Sequence, residues 1–538
     1  AGLRATTPNR ANTPKRISEP GRLHPDGCRQ LIIDRVTSPM LHSSASVEVA
    51  IIGAGFSGIG AAAALKQQGI DDFVILERAA EVGGVWRDNR YPGCRCDVPS
   101  ALYSFSYKPK PDWSDRFAAQ PEIQQYLAAC ITDLGLTAHL RMRADVKTAR
   151  WDESSQHWLL MLGDGATVTA RMLVVGSGAL NEPVIPRISG IESFEGETFH
   201  SAQWPSDFDP TGKRIGVIGT GASAVQLVPE IVDAAAHVTV FQRTAPWVVP
   251  RGDRAIPQWL RTTYSRIPGT MSVTRTAEYV RREMLTDTFT KNGRLLSVVE
   301  RTGRHHIRAQ VHDAKLRRLV TPKFRAGCKR IIMSDDWYPA LQRNNVDLVV
   351  DPIDRFTEDG IAVGLADGNR QEHRFDAVVM ATGFAVQRRS ILFDIFGSDG
   401  RSIAHSMAAT TPTAYLGSTI PGFPNLVLMT GPNTGLANNS MVVMIEAQAA
   451  YAASIARHLV DHPDRALDVR AQALANFTAE MEQRLAQSVW AAGGCSSWYL
   501  DAEGRVTALW PGRTSEFRRR TRELRLADYV VVPRVGGV

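Results

Sequence analysis

The chain carries the same kind of glycine-rich turn twice, and each copy directly follows a short apolar run. The two copies are Gly53-Ala54-Gly55-Phe56-Ser57-Gly58 and Gly219-Thr220-Gly221-Ala222-Ser223-Ala224. The apolar runs before them are Val47 to Ile52 and Ile215 to Ile218. In each copy a helix-like stretch follows the turn and leads to a second apolar run. A strand, a glycine turn, a helix and a second strand are typical of a Rossmann-type unit, so the pattern predicts two such units.

The residue that closes each unit differs in charge. The second strand of the first unit, Phe73 to Leu76, ends at Glu77, whereas that of the second unit, Val238 to Phe241, ends at Gln242-Arg243. A carboxylate in this place accepts hydrogen bonds from free ribose hydroxyls, and an arginine suits a ribose 2′-phosphate. The turn glycines let the backbone approach a pyrophosphate at the helix N-terminus. We therefore predict one FAD site and one NADPH site.

The composition is that of a soluble globular protein, with 44% hydrophobic and 22% charged residues among 538. No apolar run is long enough to cross a membrane, and residues 1–46 contain no apolar core of a signal peptide. We therefore predict a cytoplasmic protein with no membrane partner. The cysteines form no CxxC pair and no metal-ligand spacing, which predicts free thiols and no metal site. They are Cys28, Cys94, Cys96, Cys130, Cys328 and Cys495.

The net charge of +7 is concentrated in two segments. Residues 301–330 carry ten Lys or Arg and a single acid, Asp313, and residues 1–46 carry seven Lys or Arg against three acids. No nucleic-acid motif or interleaved aromatic platform accompanies this charge. We interpret residues 301–330 as a solvated helical face beside a phosphate-bearing cofactor, and predict no nucleic-acid partner.

The predicted fold class is α/β, with two Rossmann-like dinucleotide-binding domains and a mostly helical insertion in the second. The predicted parts are an N-terminal extension, poorly ordered or loosely docked (1–46), the first part of the FAD-binding domain (47–185), the NADP-binding domain (186–389) with its insertion at about 251–329, and the second part of the FAD-binding domain (390–538).

The segment between the two units carries a longer motif. It reads Phe194-Glu195-Gly196-Glu197-Thr198-Phe199-His200-Ser201-Ala202-Gln203-Trp204-Pro205. This segment resembles the FxGxxxHxxxWP fingerprint of type I Baeyer–Villiger monooxygenases, which are class B flavoprotein monooxygenases that use FAD and NADPH. The resemblance extends over roughly residues 47–530. Further matching segments include 83–86, 89–93, 96–100, 120–123, 242–244, 329–330, 381–384 and 497–499.

This resemblance implies an enzyme that inserts one oxygen atom of O2 next to a ketone carbonyl and forms an ester or lactone. The expected partners are a small-molecule ketone and O2, and the expected reactive species is a C4a-peroxyflavin. Arg330 matches the family arginine that stabilises the peroxide anion, and Asp97 matches the carboxylate that positions this arginine. His200 is expected to relay domain movement and not to act as a general base.

The resemblance and the two turns together imply the cofactor-binding residues. Lys329 and Arg243 are expected to hold the 2′-phosphate, because Arg offers a planar fork and Lys a point charge. The full predicted set is Gly53, Gly55, Phe56, Ser57, Gly58, Glu77, Gly84, Val85, Trp86, Asp97, Val98, Tyr103, Gln120, Gly219, Thr220, Gly221, Ala222, Ser223, Arg243, Thr244, Lys329, Arg330, Ala381, Thr382, Gly383, Asn433 and Trp498.

Two other functions remain open at this stage. An N- or S-oxygenating flavin monooxygenase would share both nucleotide sites but would not need Arg330. A flavin-binding redox sensor would keep both nucleotide sites but would not turn over a substrate. The presence of Asp97, Lys329 and Arg330 argues against this second alternative. One residue departs from the family pattern, since Ala101 stands where related sequences often carry a histidine.

Overall fold

The computed structural model describes residues 45–291, 293–386, 391–408 and 412–533. The predicted extension lies outside the described residues except for Ala45 and Ser46, which begin the first strand; Cys28 and the predicted boundary at 389 also lie outside them. The strands are β1 Ala45–Ile52, β2 Phe73–Leu76, β3 Leu140–Arg141, β4 Val146–Asp152, β5 His157–Leu162, β6 Thr167–Val175, β7 Glu197–His200, β8 Arg214–Ile218, β9 His237–Phe241, β10 Val248–Val249, β11 Ile332–Met333, β12 Val346–Val349, β13 Ile353–Phe356, β14 Gly360–Gly364, β15 Arg370–Arg374, β16 Ala377–Met380, β17 Asp394–Phe396, β18 Leu426–Leu428, β19 Arg465–Val469 and β20 Tyr529–Pro533.

The α-helices connect these strands and form one long insertion. They are α1 Phe56–Gln67, α2 Val85–Asp88, α3 Gln120–Asp133, α4 Ala222–Ile231, α5 Gln258–Arg266, α6 Thr270–Thr290, α7 Leu296–Gln310, α8 Ala314–Leu319, α9 Trp337–Ala340, α10 Ile403–Ala408, α11 Met441–Asp461, α12 Ala471–Ala486, α13 Val489–Ala492 and α14 Thr514–Arg520. Among the described residues, no helix is long and apolar enough to span a membrane.

The first sheet contains the first glycine turn. Its strand order is β17-β4-β5-β6-β1-β2-β3, and β18 pairs with β6. The strands β1, β2 and β6 run parallel, with Ile52 beside both Leu76 and Val175. Residues Val49 to Ile52 are apolar and buried throughout, as expected of a parallel strand covered on both faces. The strands β17 and β18 come late in the chain and return to this sheet.

The second sheet contains the second glycine turn. Its order is β12-β9-β8-β16-β7, and every pairing is parallel. The carboxyl ends of β8, β9 and β16 therefore meet at one edge, where α/β sheets bind their ligands. The two sheets with their crossover helices confirm the predicted α/β fold class.

Four helices, α5 to α8, lie between β10 and β11 and form the predicted helical insertion. The longest of them, α6, packs on the part of the molecule that carries the first sheet. Nη1 of Arg275 donates to the carbonyl oxygens of Ala101 (3.2 Å), Leu102 (3.0 Å) and Ser104 (2.7 Å). Arg282 also donates, from Nη1, to the Asn438 carbonyl at 3.0 Å. The insertion thus belongs to the second unit by sequence, but α6 is held by the first.

One expectation from the sequence is wrong. Cys328 and Cys495 form a disulfide, with their Cα atoms 6.2 Å apart and 167 positions apart in sequence. Cys94, Cys96 and Cys130 are buried free thiols, as predicted. The pairing was missed because only local cysteine spacing is visible in a sequence, whereas this pair forms where the end of the insertion meets the segment after α13.

Candidate active site

The first glycine turn is built for close backbone approach. Gly53 has a φ of +94°, and a Cβ there would lie 2.8 Å from the Gly176 carbonyl oxygen. A Cβ on Gly58 would overlap the Gly53 carbonyl oxygen, so only glycine fits. At Gly55 a Cβ would meet nothing closer than ordinary contact, and no side chain caps the N-terminus of α1. The free N–H groups of this helix end can therefore receive a pyrophosphate.

Glu77 lies at the carboxyl end of β2 and its side chain is buried. Its carboxylate accepts hydrogen bonds from the backbone N–H of Ala54 (2.8 Å) and of Ala79 (3.0 Å). It also accepts from Nη1 of Arg87 at 2.8 Å, a contact that the sequence did not predict. Of these three hydrogen bonds, Oε2 accepts only the one from Ala54. It can therefore accept a further hydrogen bond from a ribose hydroxyl. A cavity of about 430 Å³ opens beside these groups, with Arg78, Ala79 and Arg87 in its wall.

The segment around α2 closes over the first turn. A Cβ on Gly55 would lie 3.6 Å from the Cα of Gly84, so the two glycine segments are in contact. Nε1 of Trp86 donates to the Tyr103 hydroxyl at 3.1 Å, and the side-chain amide of Gln120 donates to the Trp86 carbonyl. The rings of Phe56 and Tyr103 meet edge-on at 5.1 Å. These predicted flavin-site residues are thus brought together.

The second glycine turn has the same backbone design. A Cβ on Gly219, whose φ is +118°, would overlap the carbonyl oxygen of Ala381. A Cβ on Gly221 would meet nothing within 4 Å, and no side chain caps α4, which begins with Ala222 and Ser223. The hydroxyl of Thr220 donates to the Thr244 carbonyl at 3.0 Å. This second helix end is therefore open to a phosphate as well.

Two cations meet beside the second turn. Arg243 is exposed at the end of β9, and Lys329 lies half-buried at the end of the insertion. Burial lowers the pKa of Lys329, and the nearby charge of Arg243 lowers this pKa further. Neither cation forms an ion pair with a carboxylate among the described residues, and two like charges held close together in this way form a site for an anion such as a phosphate.

Arg330 and Asp97 form the central ion pair of the site. Nε and Nη2 of Arg330 donate to Oδ2 of Asp97 at 2.8 and 2.6 Å, and their side chains are 34% and 29% exposed. Burial opposes the charge of Asp97, but Arg330 holds the pKa of this carboxyl below its ordinary value. The Asp97 charge in turn raises the pKa of Arg330. A second guanidinium, that of Arg282, also lowers the Asp97 pKa and was not predicted from the sequence.

The aromatic pair Trp498-Tyr499 lies next to Arg330. Tyr499 is fully buried, and burial raises the pKa of its phenol to about 12 although the Arg330 charge opposes the rise. Its hydroxyl makes no hydrogen bond to a described residue. Trp498 is 40% exposed, with its ring centroid 4.4 Å from that of Tyr499. Tyr499 was noticed in the sequence as part of a motif, but no role was assigned to it.

Three predicted residues have polar groups that are hydrogen-bonded elsewhere in the fold. The Asn433 amide donates to the carbonyls of Val506 (3.3 Å) and Leu509 (3.2 Å). The Thr382 hydroxyl donates to the Val184 carbonyl in the linker. Val98 is buried and its backbone N–H donates to Sγ of Cys96 at 3.3 Å. Any cofactor contact of these residues would therefore use other atoms.

His200 is buried at the end of β7, the edge strand of the second sheet, where it pairs with Met380. Its Nδ1 accepts the backbone N–H of Ala202 at 3.1 Å, and its ring meets that of Phe384 edge-on at 5.4 Å. Burial lowers the pKa of the imidazole. His200 thus joins the linker to the segment after β16, and its expected part in relaying domain movement stays a prediction.

Comparison with known proteins agrees with this geometry. Residues 46–393 match the model of the flavin-binding monooxygenase-like family. The chain is 45% identical over 487 residues to a Baeyer–Villiger monooxygenase of Streptomyces coelicolor, covering 90% of this chain and 93% of the relative. It is 42% identical over 494 residues to a Baeyer–Villiger monooxygenase of Pseudomonas aeruginosa, covering 92% and 93%.

A crystal structure of OTEMO in complex with FAD and NADP superposes with a TM-score of 0.79 at 28% identity, covering 91% of this chain and 100% of that one. The resemblance that began with the linker fingerprint is confirmed, and the chain belongs to the flavin-binding monooxygenase-like family, as one of its Baeyer–Villiger monooxygenases.

Proposed function

We propose that Arg330, oriented by Asp97, is the catalytic cation with which this Baeyer–Villiger monooxygenase converts a small-molecule ketone into an ester or lactone. The observation that carries the proposal is the ion pair of 2.6 and 2.8 Å that joins the end of the insertion to the segment after α2. This pair sets a fixed positive charge where the two nucleotide-binding units meet.

The cofactors are FAD at the first glycine turn and NADPH at the second. The α1 N-terminus and Glu77 would hold the pyrophosphate and ribose of FAD, while Arg243 and Lys329 would hold the 2′-phosphate of NADPH. When bound, FAD would supply the redox chemistry, with NADPH as the hydride donor and O2 as the oxidant. The protein supplies orientation and charge around that chemistry.

Arg330 suits a site where negative charge develops on oxygen. A guanidinium does not lose its proton in a protein, and Asp97 raises its pKa further. Nε and Nη2 are occupied by Asp97, so Nη1 can point at a reacting oxygen. A preoriented donor of this kind contributes about 3–4 kcal/mol to transition-state stabilisation. Asp97 acts through Arg330 and is a positioning residue.

The substrate is a ketone, because oxygen carrying negative charge attacks an electrophilic carbonyl carbon. Oxygenation of an amine or sulfide instead requires an electrophilic oxygen atom. That reaction does not need a neighbouring cation, because its oxygen does not have to stay anionic. We also propose a cytoplasmic location, because NADPH is supplied in that compartment; fractionation of the native host followed by immunoblotting tests it.

The test of the proposed function uses Arg330→Ala and anaerobic stopped-flow reduction by NADPH, followed by product analysis with linear, cyclic and polycyclic ketones. We expect flavin reduction to stay measurable and ester formation to fall by about 100-fold or more. Arg304→Ala is the control, since Arg304 is a surface arginine of α7 paired with Glu300 at 3.5 Å. Ester formation by Arg330→Ala near the wild-type rate, or amine oxygenation that survives the substitution, would refute the proposed role.

A further inference from the structure

The disulfide between Cys328 and Cys495 joins the two segments that carry Arg330 and Tyr499. Cys328 precedes Lys329 and Arg330 at the end of the insertion, and Cys495 precedes Trp498 and Tyr499 in the segment after α13. The two cysteines are 167 positions apart, so the bond connects parts of the chain that are remote in sequence. Neither nucleotide site explains why a covalent bond lies here.

We propose that this disulfide is a positioning cross-link for Arg330, and that its reduction lowers the fraction of NADPH turnover that ends in oxygenated ketone. The proposal rests on the function proposed for Arg330. It assigns to both cysteines a redox-dependent part in the reaction, which they exert through the neighbouring segments and without touching substrate.

The backbone around the bond is shaped to bring the two segments close. A Cβ on Gly493 would lie 2.6 Å from Cβ and 2.8 Å from Sγ of Cys328. Gly327 has a φ of +90°, and a Cβ there would lie 2.8 Å from the Phe289 ring. One backbone hydrogen bond also joins the segments, from Arg325 N–H to the Gly493 carbonyl at 3.2 Å. Glycine is thus required at position 493, where the two segments pass each other, and at position 327, where the first segment packs on α6.

Two side chains support the Arg330 guanidinium by lying against it, and the disulfide affects the position of only one of them. The first support is Asp97, which belongs to the segment after α2 and does not depend on the disulfide. The second is Tyr499, which is buried beside the guanidinium and whose side-chain hydroxyl makes no hydrogen bond to a described residue. The backbone of Tyr499 is hydrogen-bonded to Ser497 and Thr507, so the position of its ring depends on this chain segment. Release of Cys495 should therefore loosen the second support while the ion pair persists.

The bond is accessible to a small dithiol from one side. Cys328 is fully buried, but Cys495 is partly exposed between the exposed residues Gly494 and Ser496. A dithiothreitol thiolate attacks Sγ of Cys495, breaks the bond to Sγ of Cys328 and forms a mixed disulfide. The second dithiothreitol thiol then closes the ring and releases Cys495. Dithiothreitol loses two electrons and two protons, and each cysteine sulfur gains one of each.

The remaining described thiols provide an internal reference. Burial raises the pKa of Cys94 to about 12 and that of Cys130 to about 11. Both are therefore protonated and unreactive near neutral pH. Dithiothreitol also reduces disulfides and leaves free thiols unchanged, so among the described cysteines a response to it is expected to come from Cys328 and Cys495.

The first experiment uses the wild-type holoenzyme in oxidised form, after dithiothreitol treatment and anaerobic desalting, and after reoxidation with oxidised glutathione. Trapping with iodoacetamide and peptide mass spectrometry reports the state of Cys328 and Cys495. We expect reduction to lower ester formed per NADPH by about tenfold, and reoxidation to restore it. The rate of flavin reduction at saturating NADPH should change by less than about twofold, because hydride transfer does not use Arg330.

The second experiment uses Cys495→Ser, with Cys130→Ala as the matched control for loss of a buried thiol. Cys495→Ser should show the low ester yield with or without dithiothreitol, while Cys130→Ala keeps the full response. Hydrogen–deuterium exchange should accelerate in peptides covering 326–332 and 493–500 after reduction and in Cys495→Ser. If Cys495→Ser does not fold, the wild-type redox series carries the test alone.

Two results would contradict the proposal that the disulfide positions Arg330. One is an unchanged ester yield and unchanged exchange in wild type whose disulfide is shown to be reduced. The other is a dithiothreitol response that persists in Cys495→Ser. Failure of the proposed function has a different signature, because Arg330→Ala would then form ester near the wild-type rate, while the exchange of 326–332 would still decide whether the disulfide positions Arg330.

Discussion

Nη1 of Arg87 donates to Oε1 of Glu77 at 2.8 Å, and the two side chains are only 9% and 5% exposed. Arg87 also pairs with Asp88 through Nε at 2.7 Å. The carboxylate expected to bind the ribose of FAD is therefore oriented by a buried guanidinium, as well as by two backbone N–H groups.

The substitution Arg87→Met should weaken FAD binding and also lower the stability of the folded protein. It leaves the Glu77 carboxylate buried without its cation, and breaking one side of a buried ion pair costs about 3–5 kcal/mol. The measurements are FAD content after purification and the melting temperature of apoprotein and holoprotein. Arg90→Met is the control, because Arg90 lies nearby in a surface pair with Glu81 and its loss should cost about 0–1 kcal/mol. Equal effects of the two substitutions would contradict the orienting role of Arg87.

Substitution Arg243→Ala should weaken NADPH far more than NADH. Arg243 lies near Lys329 at the end of β9, and loss of one charge-assisted phosphate contact costs about 1.5–3 kcal/mol. Anaerobic reduction of the flavin at varied nucleotide concentration gives the two dissociation constants. Arg214→Ala, at the opposite end of the neighbouring strand β8, is the control. An equal loss of affinity for both nucleotides would show that Arg243 does not recognise the 2′-phosphate.

Substitution Asp97→Asn should lower ester formation, but less than Arg330→Ala, since the amide keeps the shape of the carboxylate and loses its charge. Its effect on stability has a definite pH dependence. The folded-state pKa of Asp97 lies below the ordinary value of 3.8. The stabilisation is therefore complete above about pH 5 and is lost as pH falls through the folded-state value.

The melting temperatures of wild type and Asp97→Asn, measured from about pH 7 down to about pH 3.5, check this expectation. The difference should be constant at the upper end and shrink at the lower end. A difference that disappears between about pH 8 and pH 6 would mean that another group sets the charge of the pair.

Two glycine substitutions separate folding from nucleotide binding. Gly58→Ala should prevent formation of the first turn, because the new Cβ would overlap the Gly53 carbonyl. Gly221→Ala meets nothing within 4 Å in the protein, so its melting temperature should stay close to wild type. The added methyl group should nevertheless impede the pyrophosphate and weaken NADPH by about tenfold. Unchanged NADPH binding in Gly221→Ala would place the phosphates elsewhere.

The repeated turns allowed much of the fold to be predicted from the sequence. The strands that contain Val47, Phe73, Ile215 and Val238 were all anticipated, because a buried parallel strand is a nearly continuous apolar run in the sequence and these runs lie beside glycine turns. The helical insertion was also anticipated. The local pattern of apolar runs and glycine turns predicts these elements well, because each Rossmann unit is built from segments that are neighbours in the sequence.

The parts that could not be predicted depend on contacts between distant segments. Arg87 lies between the matching segments 83–86 and 89–93, and its contact with Glu77 forms only once α2 folds back on β2. Arg282, Tyr499 and the Cys328–Cys495 bond come together from the insertion and the end of the chain. The pairing of Arg330 with Asp97 was available only through family resemblance, because a sequence does not show which of many arginines meets a given carboxylate.

The docking of α6 has a consequence for protein engineering. Arg275 binds three backbone carbonyls of the 101–104 loop, and Glu283 accepts from Thr514 and Ser515, so this helix is bound to the first nucleotide unit. A chimera that exchanged the whole of residues 186–389 for those of a relative would replace α6 and mismatch these contacts. Recombination limited to the second sheet and its crossover helices, with α6 retained from the parent, should yield stable hybrids with altered nucleotide preference.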